Sequence, residues 1–176
     1  QEMAAITREE IRNPGLGVLH KNMIFVGNPG TGKTTCAKLL ADIMAEEGNS
    51  NSVFLQVDRR SLIGEYVGQT APKVAKKFEE ARGGVLFVDE AGFFLNKASG
   101  GYVAEAVKEF VRYMELYPDV TVIFALYLDE LDDFLELDTG LSSRISRLVR
   151  FEDYSSSELT AITENILEKK GYKVSE

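Results

Sequence analysis

The chain has little with which to build cross-links or metal clusters: one cysteine and one histidine among 176 residues. A lone cysteine, Cys36, excludes an internal disulfide and fits a reducing compartment; without a local base it reads as a small core residue. The lone histidine, His20, brings no partner ligands. It reads as a structural residue before the first strand or, with Leu16 and Gly17, as lining for a ligand pocket. No apolar run approaches the roughly 20 residues that cross a bilayer, so no membrane insertion is expected. Basic residues are in deficit, 20 against 28 acidic, for a formal net charge of -8. That balance argues against a general nucleic-acid coat and an anionic-membrane binder. Repeats and low-complexity linkers are missing too. What remains is ordinary for a globular domain, 44% hydrophobic and 27% charged, with room for one sizeable core plus a fragment of a second domain. The chain opens on Gln1 without a signal-peptide pattern. This fits a cytoplasmic protein, or an organelle-matrix one from which a targeting segment has been removed.

Strand-like and helix-like segments alternate. Met23 to Val26 is a short apolar run closed by Gly27. Lys33 to Glu47 places Ala37, Leu40, Ala41 and Met44 on one helical face, with Gly48 as a C-cap. Ser52 to Val57 reads as a strand, and Thr70 to Arg82 as a helix with Thr70 at its N-cap. Val85 to Val88 is a compact strand. Tyr102 to Tyr117 is a helix closed by Pro118, and Val120 to Leu126 is a strand covered on both faces. The acidic run Asp129 to Asp138 reads as one amphipathic helix with a wet face rather than a cation site. Arg147 to Phe151 is a weaker strand. Ser155 to Lys170 opens on the capping box Ser155/Glu158 and ends at Gly171. Together these predict an α/β fold: a five-stranded parallel sheet sandwiched by helices.

Between the first strand and first helix stands GNPGTGKTT, Gly27 to Thr35, which meets G-x-x-x-x-G-K-[ST] and places the expected fold in the P-loop NTPase class. Glycines let successive backbone N–H groups converge on an anion, and the helix N-terminus adds its dipole. Lys33 reaches the β- and γ-phosphates of ATP while the Thr34 hydroxyl ligates Mg²⁺. Asn28, Pro29, Gly30, Thr31, Gly32, Lys33, Thr34 and Thr35 are therefore candidate nucleotide contacts. A second element, VLFVDEA, ends a buried strand in two carboxylates. Asp89 would orient Mg²⁺ through its water shell, and Glu90 would polarise the attacking water. Consecutive carboxylates favour hydrolysis over phosphoryl transfer to a small acceptor, although the loop alone also suits a small-molecule kinase.

GNPGTGKTT, SLIGEYVGQTAPKV, GGVLFVDEA, VTVIFALYLDEL and TGLSSRISRLVRFEDYS, in that order, resemble successive blocks of the AAA+ superfamily. Within it they resemble the CbxX/CfqX group, which includes red-type rubisco activases, a sporulation protein and type VII secretion ATPases. The resemblance implies a homo-oligomeric ring, commonly a hexamer, that hydrolyses ATP with Mg²⁺ to remodel or thread a protein client. It assigns Arg144 as a catalytic arginine acting in a neighbour's site, with Arg147, one helical turn further on, as the alternative. On spacing alone Arg144 reads as a surface ion-pair residue. It also assigns Tyr66, Val67 and Gly68 to a pore loop that grips the client, where exposure or packing of Tyr66 fits the residues equally well. Gly100-Gly101-Tyr102 matches a second, less specific pore loop. At the end of the fourth strand Leu126-Tyr127 stands where the superfamily often has a polar phosphate sensor; Tyr127 fills that role or packs. The resemblance divides the chain into an AAA+ core, 1–153, and the start of a C-terminal helical lid, 154–176, which stops after its first helix. A competing expectation is an ATP-binding switch that assembles without turning over, favoured by Leu126 and the short lid and opposed by the Asp89-Glu90 pair.

Overall fold

Five apolar runs become five parallel strands in a computed structural model that describes residues 22–46, 53–96 and 101–171. His20, Leu16, Gly17, Gly48 and Gly100 lie outside the described residues. The strands are β1 (Asn22–Gly27), β2 (Phe54–Val57), β3 (Val85–Val88), β4 (Thr121–Leu126) and β5 (Ile145–Phe151). They lie side by side in the order β2-β3-β4-β1-β5, every pair parallel. The helices are α1 (Lys33–Glu46), α2 (Arg59–Leu62), α3 (Thr70–Glu80), α4 (Gly101–Leu116), α5 (Leu131–Glu136), α6 (Thr139–Ser143) and α7 (Ser156–Lys169). Short 3-10 turns at Ala91–Leu95 and Leu128–Glu130 follow β3 and β4.

Alternation along the strands builds two cores. Phe25, Val85, Phe87, Ile123 and Ala125 pack on one face with Ala37, Leu40, Ala41 and Met44 of α1. Ile24, Val26, Leu86, Val88, Val122, Phe124 and Leu126 face the other way, against α3, α4 and α5. The second core is aromatic: Phe124 lies 5.7 Å from Phe110 and 5.2 Å from Phe134, ring centre to ring centre. Truncating a fully buried Phe124 would cost about 3–5 kcal/mol. α7 contributes to neither core and buries none of its residues.

Several boundaries differ from those expected. Thr70 is the first residue of α3 and Gln69 its N-cap. The Thr70 hydroxyl is buried and accepts the Gly64 N–H at 3.0 Å, so its polar group serves the preceding loop instead of the helix end. The acidic run is not one helix. It folds as the 3-10 turn, α5 and, after Asp138, α6, because Asp138 leaves the helical region and caps α6 by accepting the Leu141 N–H at 2.9 Å. β5 starts two residues early, at Ile145, which places Arg147 in a strand and not a helical turn beyond Arg144.

One buried polar side chain ties three elements together. Asn22, 3% exposed, accepts the Val122 N–H and donates to the Arg144 carbonyl, at 2.9 and 3.0 Å. With donor and acceptor both satisfied, its burial carries no desolvation penalty of an unpaired group.

Candidate functional site

Parallel strands all deliver their C-terminal ends to one edge of the sheet, where a crevice forms outside them. Here a cavity of about 350 Å³ opens at the ends of β1, β3 and β4. Pro29, Gly30, Gly32, Lys33, Thr34 and Thr35 line it from the phosphate-loop side, Asp89 and Glu90 from β3, and Ala125, Leu126 and Tyr127 from β4. Six of the eight expected nucleotide contacts and both carboxylates are therefore brought together. Asn28 and Thr31 do not line the cavity. The Thr31 hydroxyl donates to the Asn28 carbonyl at 2.8 Å, and the Asn28 amide donates to Asp153, so both side chains hold the loop's shape.

The loop is wound around its own lysine. Lys33 Nζ donates to the carbonyls of Gly27 and Asn28, at 2.6 and 2.8 Å. Burial lowers the Lys33 pKa, against the opposing pull of Asp89 and Glu130. Gly32 takes φ +90°, a region closed to residues with a Cβ except at a strain cost, and this turn aims the start of α1 at the cavity. α1 carries no acidic residue in its first turn, leaving its positive end open to an anion.

Asp89 and Glu90 have different settings. Asp89 continues the β3 ladder, its N–H bonded to the Val57 carbonyl at 2.8 Å. Its carboxylate accepts Gln56 Nε2 at 2.7 Å and the Glu90 N–H at 3.1 Å. Glu90 is exposed and left-handed, φ 50° and ψ 48°, the one non-glycine with positive φ among the described residues. Such a conformation costs on the order of 1–3 kcal/mol and clusters at functional sites. The Tyr127 hydroxyl donates to the Glu90 carboxylate; burial first, then Glu90, push its pKa up. The same ring stands 5.7 Å from Lys33 Nζ. Glu130 holds the turn by accepting the Tyr127 N–H at 2.9 Å. Tyr127 thus touches both the loop lysine and the second carboxylate.

Gln56 and Glu130 were not anticipated. Gln56 gives one signal in the sequence, a polar residue near the end of an otherwise apolar strand. Glu130 gives none, being one acid among many. Cys36 is half-buried against the α1 core and its thiol pKa is raised by burial.

Arg144 lies at the opposite edge of the sheet. It follows α6 and precedes Ile145, which pairs with Asn22 at the start of β1; the phosphate loop begins after Gly27, about 17 Å further at the usual strand rise. The guanidinium is 19% exposed, Nη1 on the Gly140 carbonyl at 2.8 Å and Nη2 on Glu115 at 2.7 Å, with Nε buried and unpartnered. The ion pair read from spacing alone is present, and the side chain is tucked in this copy. Tyr66 and Val67, 69% and 88% exposed, stand at the tip of the loop between α2 and α3. That loop is braced: Gln69 Oε1 accepts the N–H groups of Glu65 and Tyr66, and Lys73 Nζ donates to the Ile63 carbonyl at 2.8 Å. Among the described residues no helix is long and apolar enough to cross a membrane.

Residues 23–153 match the family described as ATPase family associated with various cellular activities (AAA). The chain is 43% identical over 164 residues to the protein CfxQ homolog of Pyropia yezoensis, covering 91% of this chain and 53% of that one. It is 40% identical over 166 residues to the chloroplastic ribulose bisphosphate carboxylase/oxygenase activase of Cyanidioschyzon merolae, covering 92% and 55%. The chain spans about half the length of these curated relatives. Among solved structures it superposes on the FIGL-1 AAA domain in complex with ADP, with a TM-score of 0.66 at 23% identity, over 92% of this chain and 54% of that one. At that identity the likeness speaks for the fold.

Proposed function

Since the chain belongs to the AAA family of ATPases, in its CbxX/CfqX group, we propose that it binds ATP with Mg²⁺ and hydrolyses it, as one subunit of a ring that remodels a protein client. The observation that carries this reading is the convergence of Lys33, Thr34, Asp89 and Glu90, from two separate strand ends, on one cavity. Its volume lies within the usual 300–1,000 Å³ of small-ligand sites. The donor set suits the ligand: an ammonium and a helix N-terminus for phosphate, a hydroxyl and a carboxylate for a hard cation. Thr34 and Asp89 would hold Mg²⁺, which when bound supplies positive charge against the β- and γ-phosphate oxygens.

The chain's own groups divide the work. Lys33 exchanges its two carbonyl partners for phosphate oxygens. Glu90 takes the proton of a water whose oxygen bonds to the γ-phosphorus, while the bond from that phosphorus to the β–γ bridging oxygen breaks, giving ADP and phosphate. Tyr127 orients the Glu90 carboxylate through its hydroxyl. Arg144, too far from its own loop to serve it, acts on the γ-phosphate of a neighbouring subunit after leaving Glu115. The braced, outward-facing Tyr66-Val67-Gly68 tip meets the client. We read residues 1–153 as the nucleotide-binding core and 154–176 as the start of a helical lid, in a cytoplasmic or organelle-matrix protein.

The tucked Arg144 favours a second reading, an assembly switch that binds ATP without turnover. Titration calorimetry and phosphate release on wild type, Lys33→Ala and Glu90→Gln separate the two. The ATPase reading expects Mg-ATP binding that Lys33→Ala abolishes, and steady turnover that Glu90→Gln removes while keeping binding. Equal, negligible rates in wild type and Glu90→Gln, at concentrations that assemble rings, would leave the switch.

A further inference from the structure

β3 and β4 lie side by side, and each runs into a short 3-10 turn, Ala91–Leu95 and Leu128–Glu130. The first turn begins directly after Glu90, the second directly after Tyr127. On the inner side both turns rest on one core. Phe94 lies 6.2 Å from Phe124 and from Phe134, ring centre to ring centre, and Leu131 and Phe134 are buried just beyond Glu130. On the outer side a single carboxylate spans the two turns. Glu130 Oε2 accepts the Tyr127 N–H at 2.9 Å. The same carboxylate lies against the bare backbone of Gly92, where an added Cβ would stand 2.6 Å from Oε2 and overlap Oε1. Gly92 is not one of the glycines with positive φ, so its backbone would admit alanine. What its missing side chain leaves room for is Glu130.

These contacts close a circuit around the carboxylate read above as the base. Glu90 leads through Ala91 to Gly92, Gly92 meets Glu130, Glu130 holds the Tyr127 N–H, and the Tyr127 hydroxyl returns to Glu90. Glu130 does not itself line the cavity. The left-handed Glu90 and the Tyr127 ring belong to different strand ends, and a link between those ends narrows the range of distances their side chains can take.

We propose that Glu130 is a positioning residue for hydrolysis: by spanning Gly92 and the Tyr127 N–H it fixes the distance between the Tyr127 hydroxyl and the Glu90 carboxylate. The inference rests on the ATPase reading above and names the residue through which its base is aimed. Because Glu130 acts through Tyr127, its removal cannot cost more turnover than removal of the Tyr127 hydroxyl. Its charge also faces Lys33. Glu130→Gln, which keeps an acceptor for the Tyr127 N–H and drops the charge, separates geometry from field.

The test uses the full chain: wild type, Glu130→Ala, Glu130→Gln, Gly92→Ala, Tyr127→Phe and the Glu130→Ala/Tyr127→Phe double variant. Amide hydrogen exchange of the nucleotide-free chain, read by NMR at the Tyr127 N–H, is paired with phosphate release and Mg-ATP titration under assembling conditions. The Tyr127 amide is expected to be protected in wild type and in Glu130→Gln. It loses protection in Glu130→Ala and in Gly92→Ala, whose added methyl displaces the carboxylate. Turnover falls about three- to thirtyfold in both of these, with Mg-ATP affinity nearly unchanged, while Glu130→Gln stays near wild type. The double variant turns over no more slowly than Tyr127→Phe alone. Losses that multiply in the double variant, turnover unchanged although the amide has lost protection, or a Tyr127 amide still protected in Gly92→Ala would overturn the inference. Should Glu130→Ala misfold, Gly92→Ala carries the same comparison, alone and combined with Tyr127→Phe. Wild type lacking any turnover that Glu90→Gln removes would instead sink the ATPase reading, and the inference with it.

Discussion

The two edges of the sheet are prepared differently. At the C-terminal edge Lys33, Asp89, Glu90 and Tyr127 surround an open cavity, with the loop pre-wound and one residue held in a left-handed conformation. At the other edge Arg144 is closed in by Glu115 and Gly140, held by the Asn22 staple. One edge has an open cavity lined by a lysine and a helix N-terminus; the other has a cation already paired. A sheet of parallel strands cannot fold its two edges together, so the proposed role of Arg144 requires a second copy.

Removing the cation is the strongest way to break this comparison. In assembled protein Arg144→Ala should lower turnover about 10³–10⁵-fold, with Mg-ATP affinity nearly unchanged; steady-state phosphate release beside a nucleotide titration checks both. A loss of affinity equal to the loss of rate would instead place Arg144 in a structural role.

A smaller effect is expected of Tyr127→Phe. Losing a hydrogen bond to a charged group should reduce turnover about ten- to a hundredfold and leave binding near wild type, because the ring beside Lys33 is retained. An unchanged rate would mean that Tyr127 only packs.

The smallest effect concerns stability. Burial lowers the Lys33 pKa in the folded chain, so between that value and the ordinary lysine value the unfolded chain binds the proton more strongly. Stability contributed by this group therefore rises with pH across that alkaline window, and the cost of holding the charge is fully present at neutral pH. Lys33→Met should keep or raise the melting temperature at pH 7, flatten the alkaline rise, and abolish nucleotide binding. Melting curves across pH check the first two; a fall in melting temperature at pH 7 would contradict them.

What could be read from the sequence was whatever local chemistry decides. VTVIFAL and VLFV are strands because little else suits short apolar runs with β-branched residues, and both lie fully buried at the sheet centre. GNPGTGKTT and DE announced the site because the glycines, the lysine and the paired acids sit at adjoining positions. The missed features are set at long range or by competition. Gln56 and Asp153 matter through contacts formed only when distant segments meet, whereas Glu130 bonds locally, to the Tyr127 N–H, one acid among many that could have done so. The Thr70 hydroxyl was claimed by the Gly64 N–H, and Gln69 by the loop before it. The acidic run broke into short helices because Asp138 caps a new helix in preference to extending the old one.

The most direct test of the account mixes two inactive proteins. Glu90→Gln retains Arg144, and Arg144→Ala retains Glu90; neither alone should turn over. Mixed in equal amounts under assembling conditions, about a quarter of randomly paired interfaces hold both groups, and phosphate release should reappear at a corresponding fraction of the wild-type rate. A mixture no faster than the sum of its parts, under conditions where wild type is active, would contradict a site completed between copies.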